Sequence, residues 1–139
     1  LTPAGNNRED STQMVPQVLR YTKEHEWVRV ESGVATVGIT DYAAHELGDV
    51  VFVELPDVGR TVAQSAAIGV IESVKAVSDL FAPLSGDVVE TNSELSGEPE
   101  LLNSDPFGKG WMLRIQIADP SQVDGLLDAA AYDALTAEA

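Results

Sequence analysis

Three lysines occur in the 139 residues, Lys23, Lys75 and Lys109, and the middle one has the most unusual surroundings. Between Thr61 and Gly108 stand eight acids (Glu72, Asp79, Asp87, Glu90, Glu94, Glu98, Glu100 and Asp105) and one base, Lys75. Neighbouring carboxylates favour the protonated amine, so an unmodified Lys75 is a poor nucleophile. Schiff-base catalysis uses a desolvated or cation-flanked lysine, and this setting argues against it. Enzymatic acylation of the amine fits better, because it needs access rather than intrinsic reactivity. The plain alternative is a solvated turn lysine on an acidic face.

No other group of residues nominates a catalytic centre or a metal site. His25-Glu26 has no second histidine four residues after His25, so a zinc helix is excluded. His45 falls in a different element, and both histidines read as surface or hydrogen-bonding residues. Gly108-Lys109-Gly110 lacks the spacing and the hydroxyl residue of a phosphate loop. No Gly-x-Ser-x-Gly elbow exists. With no cysteine, disulfides, thiolate catalysis and thiolate-held metals are excluded. The chain carries 23 acids against 8 bases, a net charge of −15. Such a surface repels nucleic acid and anionic membrane, and it steers towards basic protein surfaces. No apolar run approaches the roughly 20 residues of a membrane span.

The elements that must position Lys75 are short. Residues 27–30 and 34–39 read as a hairpin across Glu31-Ser32-Gly33. Thr40 is a good N-cap and Gly48 a good stop for one short helix. Ile39, Ala43 and Leu47 fall at a spacing of four, either as plain core or as the lining of a cleft. Residues 50–55 are β-branched and read as a buried strand ended by Pro56. Strands over 67–73 and 76–81 flank Lys75, which places it at a hairpin tip if they pair. Further strands follow over 87–91 and 111–117, with a helical turn over 97–102 between them. Asp119, Pro120 and Gln122 have capping-box spacing at the start of a C-terminal helix. In that helix Val123, Leu126, Leu127, Ala130, Ala134 and Leu135 recur at helical spacing, with Gly125 and Asp128 as points of interruption. The fold class is mainly β, a small sandwich or barrel hybrid with short helices and a closing helix, in one domain over 21–139. Residues 1–20 read as an N-terminal arm, extraneous or native, outside the fold.

Glu72-Ser73-Val74-Lys75-Ala76 resembles the lipoyl attachment site of the glycine cleavage H-protein family. Five further blocks resemble it in order. They are Tyr21-Thr22-Lys23-Glu24-His25-Glu26-Trp27, the run from Val37 to Ala43, the run from Leu47 to Pro56, Ser78-Asp79-Leu80 with Pro83-Leu84-Ser85-Gly86, and Asn103-Ser104-Asp105-Pro106-Phe107 with Gly110-Trp111. A lysine pentapeptide alone is a moderate signal; six blocks in register are a strong one.

The resemblance implies a barrel-sandwich hybrid with lipoate in amide linkage to Lys75. It implies a carrier that catalyses nothing alone and takes the aminomethyl group of glycine from a pyridoxal-phosphate glycine decarboxylase to an aminomethyltransferase. Dihydrolipoamide dehydrogenase then reoxidises the arm, and a lipoate ligase or lipoyl transferase installs it. By the same resemblance Glu26 and Asp79 line a cleft and hold a cationic amine, while Ile39, Ala43 and Leu47 form its apolar wall. Glu26 has a bland alternative as a partner of Arg29 or Lys23. Glu24 departs from the small hydroxyl residue of some relatives, and Phe107 stands where a tyrosine is also seen. A lipoate-relay protein is the alternative carrier reading. A biotinyl carrier is disfavoured because Val74 and Ala76, not methionines, flank the lysine. A monomer in a bacterial cytoplasm is expected, or in a mitochondrial matrix if the source is eukaryotic, since no Arg-rich leader is evident.

Overall fold

The computed structural model describes residues 19–137. Of the expected arm over 1–20, residues 1–18 lie outside the described residues; Leu19 is buried and Arg20 pairs with Val28. The first strands are β1 (Arg20–Tyr21), β2 (Glu26–Glu31) and β3 (Val34–Ile39). Glu31 pairs with Val34 across a two-residue turn, in which Ser32 and Gly33 both have positive φ, 52° and 81°. That geometry matches the right-handed twist of the strands it joins.

Helix α1 (Asp41–Leu47) begins at Thr40, whose hydroxyl accepts from Ala43 N–H, and ends at Gly48. Both caps stand where the residue types place them, but Ile39 is the last residue of β3 rather than part of the helix. Strands β4 (Val50–Glu54), β5 (Thr61–Val62), β6 (Ala67–Ser73), β7 (Val77–Phe81) and β8 (Gly86–Thr91) follow. A 3-10 turn (Ser93–Ser96) and α2 (Leu101–Ser104) lead to β9 (Leu113–Ile117). The chain then forms α3 (Ser121–Asp124) and α4 (Ala129–Ala137).

Among the described residues the strands make two antiparallel sheets. One has six strands in the order β1-β2-β3-β9-β8-β5, the other three in the order β4-β6-β7. The mainly β architecture is as expected, with corrections of detail. Strand β4 is an edge rather than a buried strand: Val50 is buried, whereas Val51 and Phe52 are 53% and 48% exposed. The closing helix divides at Gly125 and resumes after Asp128, so α3 and α4 are separate. Gln122 does not complete a capping box. Its amide oxygen accepts from Ser85 N–H at 2.7 Å and its amide nitrogen donates to the Ser85 hydroxyl at 3.2 Å, tying α3 to the sheet. The N-cap of α3 is Pro120 rather than Asp119, and Asp119, one residue earlier, accepts from Ser121 N–H at 3.1 Å.

The main core contains Val37, Ile39, Val50, Ile71, Leu80, Leu113 and Ile115. Burying each such aliphatic side chain contributes about 1.5–3 kcal/mol, so Ile71 and Leu80 anchor the β6–β7 hairpin from beneath. A second cluster stacks Tyr21 on Tyr132 of α4, ring centroids 4.7 Å apart, and thereby fastens the C-terminal helix to the first strands. Trp27 joins it: its indole N–H donates to the Pro106 carbonyl at 2.9 Å and its ring lies 6.0 Å from that of Phe107.

Candidate functional site

Lys75 stands at the tip of the β6–β7 hairpin, exposed, as pairing of Glu72 with Val77 requires. The tip is stiffened by Ser73. Its backbone N–H donates to the Ala76 carbonyl at 2.8 Å, and its hydroxyl oxygen accepts from the N–H groups of Lys75 and Ala76 at 3.2 and 3.1 Å. Such side-chain-to-backbone bonds define a turn without help from the sheet. Val74 N–H donates to the Asp49 carbonyl at 3.0 Å, which moors the tip to the segment after α1.

Gly48 is the floor beneath the lysine stem. A Cβ built on Gly48 would lie 3.4 Å from Lys75 Cε, and its φ of 79° is a conformation that other residues seldom adopt. Asn103 holds this floor from below. Its side-chain oxygen accepts from Val50 N–H at 2.9 Å and its amide donates to the Gly48 carbonyl at 2.8 Å.

Beside the hairpin lies a cavity of about 180 Å³ whose lining includes Glu26, Ile39, Ala43, Leu47 and Asp79. All five residues expected at a cleft are thus in one place, and Leu47 leads directly to the Gly48 floor. The two readings of the apolar trio merge: Ile39 is core, with Ala43 and Leu47 packed against that core, and the same three side chains wall the cavity. Sequence reasoning missed His25, Glu46, Ile71, Ser78 and Leu80, which also line it. Glu46, three residues after Ala43, was available from helical spacing. His25 was not, because its exposure to the cavity depends on a φ of 73°.

Glu26 is buried, 2% exposed. One carboxylate oxygen accepts from the Thr22 hydroxyl at 2.5 Å and the other from Phe81 N–H at 3.2 Å. Neither Arg29 nor Lys23 is its hydrogen-bond partner, since Arg29 lies over the Trp27 ring. Burial pushes the Glu26 carboxyl up to about 7, opposed by its bonds to Thr22 and Phe81 and reinforced by Glu24. Burial also lowers the His25 pKa, against the pull of Glu24 and Glu46. Glu24, Glu26, Glu46 and Asp79 give the cavity four carboxyl groups, and no lysine or arginine is among its lining residues. This arrangement suits a positively charged end carried on an apolar stem.

Larger depressions exist, one of about 360 Å³ bounded by Tyr21, Phe81 and Leu126, and one of about 730 Å³ between α1 and α4. The smaller cavity is the better candidate because it joins a buried acid to an apolar wall against the hairpin that carries Lys75, although Gly48 itself lines the larger depression between α1 and α4. Its size, below the roughly 300–1,000 Å³ of pockets for drug-sized ligands, fits the end of a tethered chain. Among the described residues no group of three or more His, Asp or Glu side chains is placed to hold a metal. No helix among them is long and apolar enough to cross a membrane.

Comparison with known proteins places this geometry in a family. The chain is 58% identical over 124 residues to the glycine cleavage system H protein of Symbiobacterium thermophilum, covering 89% of this chain and 97% of that one. It is 56% identical over 119 residues to the H protein of Phenylobacterium zucineum, covering 86% and 98%. The crystal structure of a glycine cleavage system H protein from Mycobacterium marinum superposes with a TM-score of 0.83 at 40% identity, covering 88% of this chain and 99% of that chain. The family profile described as glycine cleavage H-protein matches residues 19–139. With the profile spanning the whole fold and the relatives covered almost end to end, the chain belongs to the glycine cleavage H-protein family.

Proposed function

We propose that Lys75 is the attachment point of lipoate and that through it this protein serves glycine cleavage as its lipoyl carrier, a component with no turnover of its own. The observation that carries the assignment is the exposed amine on a stiff hairpin tip, with its stem on the Gly48 floor and a small acid-lined cavity alongside. An amide-linked arm needs such an outlet, and its free end needs such a berth. When bound, lipoate supplies the sulfur chemistry that carries a one-carbon unit, and the protein supplies placement. Glu26 and Asp79 would hold the cationic end of the arm. Ile39, Ala43 and Leu47 would keep water from it, a recognised use of a closed site.

The partners proposed are glycine decarboxylase, aminomethyltransferase and dihydrolipoamide dehydrogenase, with a lipoate ligase or lipoyl transferase for installation. The surface around Lys75 suits protein docking. Val51, Phe52, Val74 and Val77 are all exposed there, among acids that include Asp49, Glu54 and Glu72. An apolar centre with an acidic rim fits a partner with a basic rim. A covalent arm then presents its cargo to each docked partner at high effective concentration. Both curated relatives named above come from bacteria, and a bacterial cytoplasm is the compartment proposed.

The test is Lys75→Arg. This variant should fold as the unaltered chain does, gain no lipoyl mass with a lipoate ligase, and support no glycine–bicarbonate exchange with the partner enzymes. A lipoylated Lys75→Arg protein by intact mass, or undiminished exchange, would refute the site.

A further inference from the structure

His25 has no role in the carrier chemistry above, yet it closes a ring of hydrogen bonds beside the cavity it lines. Thr40 N–H donates to the His25 carbonyl at 3.0 Å. The Tyr132 hydroxyl lies 2.7 Å from Thr40 Oγ1 and 2.8 Å from His25 Nδ1. Thr40 Oγ1 also accepts from Ala43 N–H at 3.1 Å, the N-cap bond of α1. The ring joins the β1–β2 turn, the start of α1 and the C-terminal helix α4. It bears on the cavity twice, through the His25 ring and through Ala43, both of which line it.

The proton order in the ring follows from burial. Thr40 is fully buried and Tyr132 is 1% exposed, so each hydroxyl proton needs an acceptor. An unprotonated Nδ1 accepts from Tyr132, whose oxygen is then free to accept from Thr40. A proton on Nδ1 would reverse the chain and leave the Thr40 hydroxyl hydrogen without an acceptor in the ring. The geometry therefore selects a neutral imidazole with its proton on Nε2. The groups that face it are Glu24 in the same turn, Glu26 of β2, Tyr42 and Glu46 of α1, Asp79 of β7 across the cavity, and Tyr132 of α4.

We propose that His25 is a positioning residue: with Thr40 and Tyr132 it latches α4 to the α1 wall and so sets how long the cavity stays closed on the arm. The latch rests on the sheltering role proposed above. It gives α4, which is remote in sequence from Lys75 and lines none of the cavity, a part in the carrier cycle.

The experiment compares Tyr132→Phe, His25→Leu and His25→Asn. Tyr132→Phe removes the shared hydroxyl and keeps the ring stacked on Tyr21. Asparagine tolerates the left-handed backbone of position 25, offers an acceptor near the place of Nδ1 and does not titrate. Release of the one-carbon cargo from the loaded carrier should accelerate about threefold to tenfold in Tyr132→Phe and His25→Leu, the range that one lost hydrogen bond commands. It should stay within about twofold of the parent in His25→Asn. In the unloaded carrier, exchange of the Ala43 and Ala44 amide hydrogens should quicken in the first two variants and not in the third. Release and exchange unchanged in Tyr132→Phe overturn the latch, as does His25→Asn behaving like His25→Leu. If His25→Leu fails to fold, the contrast between Tyr132→Phe and His25→Asn decides. A parent carrier that releases cargo as fast as a free dihydrolipoamide adduct overturns the sheltering role and the latch together; protection retained equally in every variant overturns the latch alone.

Discussion

Replacing Glu26 by glutamine should make the protein more stable and less able to shelter its cargo. The carboxyl is 2% exposed and its pKa is raised from 4.5 to about 7, chiefly by burial. An acid whose pKa is higher folded than unfolded binds more protons in the native state between those two values. Stability therefore falls as pH rises from about 4.5 to about 7, and above that the buried charge costs its full amount. A carboxyl raised from 4.5 to about 7 carries a cost of about 3 kcal/mol once it is ionised. Glutamine has the same shape, can still accept from Phe81 N–H and never ionises. At pH 8 Glu26→Gln should gain up to about 3 kcal/mol, or up to about 12 °C in melting temperature for a domain this size. At pH 4, where both side chains are neutral, the two proteins should differ little. Urea and thermal unfolding across this range measure the difference, and subtracting the variant curve removes the other carboxylates. A variant equally stable or less stable than the parent at pH 8 would show that Glu26 is not a strained buried acid, and the case for it as a waiting counter-ion would fail. Loss of cargo protection alongside the stability gain is the expected signature of a group kept for function.

Three further outcomes are expected. Asp79→Ala should leave lipoylation by a ligase nearly unchanged while shortening the life of the loaded carrier by about threefold to tenfold, the worth of one charge-assisted contact; an unchanged release rate removes Asp79 from the cleft role. Asn103→Ala orphans Val50 N–H and the Gly48 carbonyl and should cost about 2–3 kcal/mol in urea unfolding; a loss below about 0.5 kcal/mol would mean that water replaces the amide. Association with the partner enzymes, followed by light scattering or calorimetry, should weaken as salt rises from about 0.1 M to about 1 M and the Debye length falls from about 10 Å to about 3 Å. Salt-independent binding would show that the acidic surface does not steer docking.

Much of this protein is legible locally. Thr40 and Gly48 delimit α1 because capping is a matter of a few adjacent backbone groups. Glu31-Ser32-Gly33 marks the first hairpin connection, which the structure tightens to Ser32-Gly33 by pairing Glu31 with Val34. The exceptional position of Lys75 is visible as charge arithmetic along the chain. Two short strands, β1 and β5, escaped notice because two residues carry no periodicity; only their partners Val28 and Asp87 define them. Strand β4 was misread as buried because β-branched composition is the same for a centre and an edge, and its place outside β6 is a matter of sheet order.

The residues thus determined most of the longer elements, the lysine at a hairpin turn and the acidity of the segment around it, all of which depend on neighbours along the chain. The tertiary structure alone decided that Glu26 is buried against Phe81 N–H, a contact across 55 residues. It likewise decided that Tyr132 meets His25 and Thr40 across 107 and 92. Ionisation and hydrogen-bond satisfaction depend on what surrounds a group in space, and that surrounding exists only once the sheets have packed and α4 has closed over them.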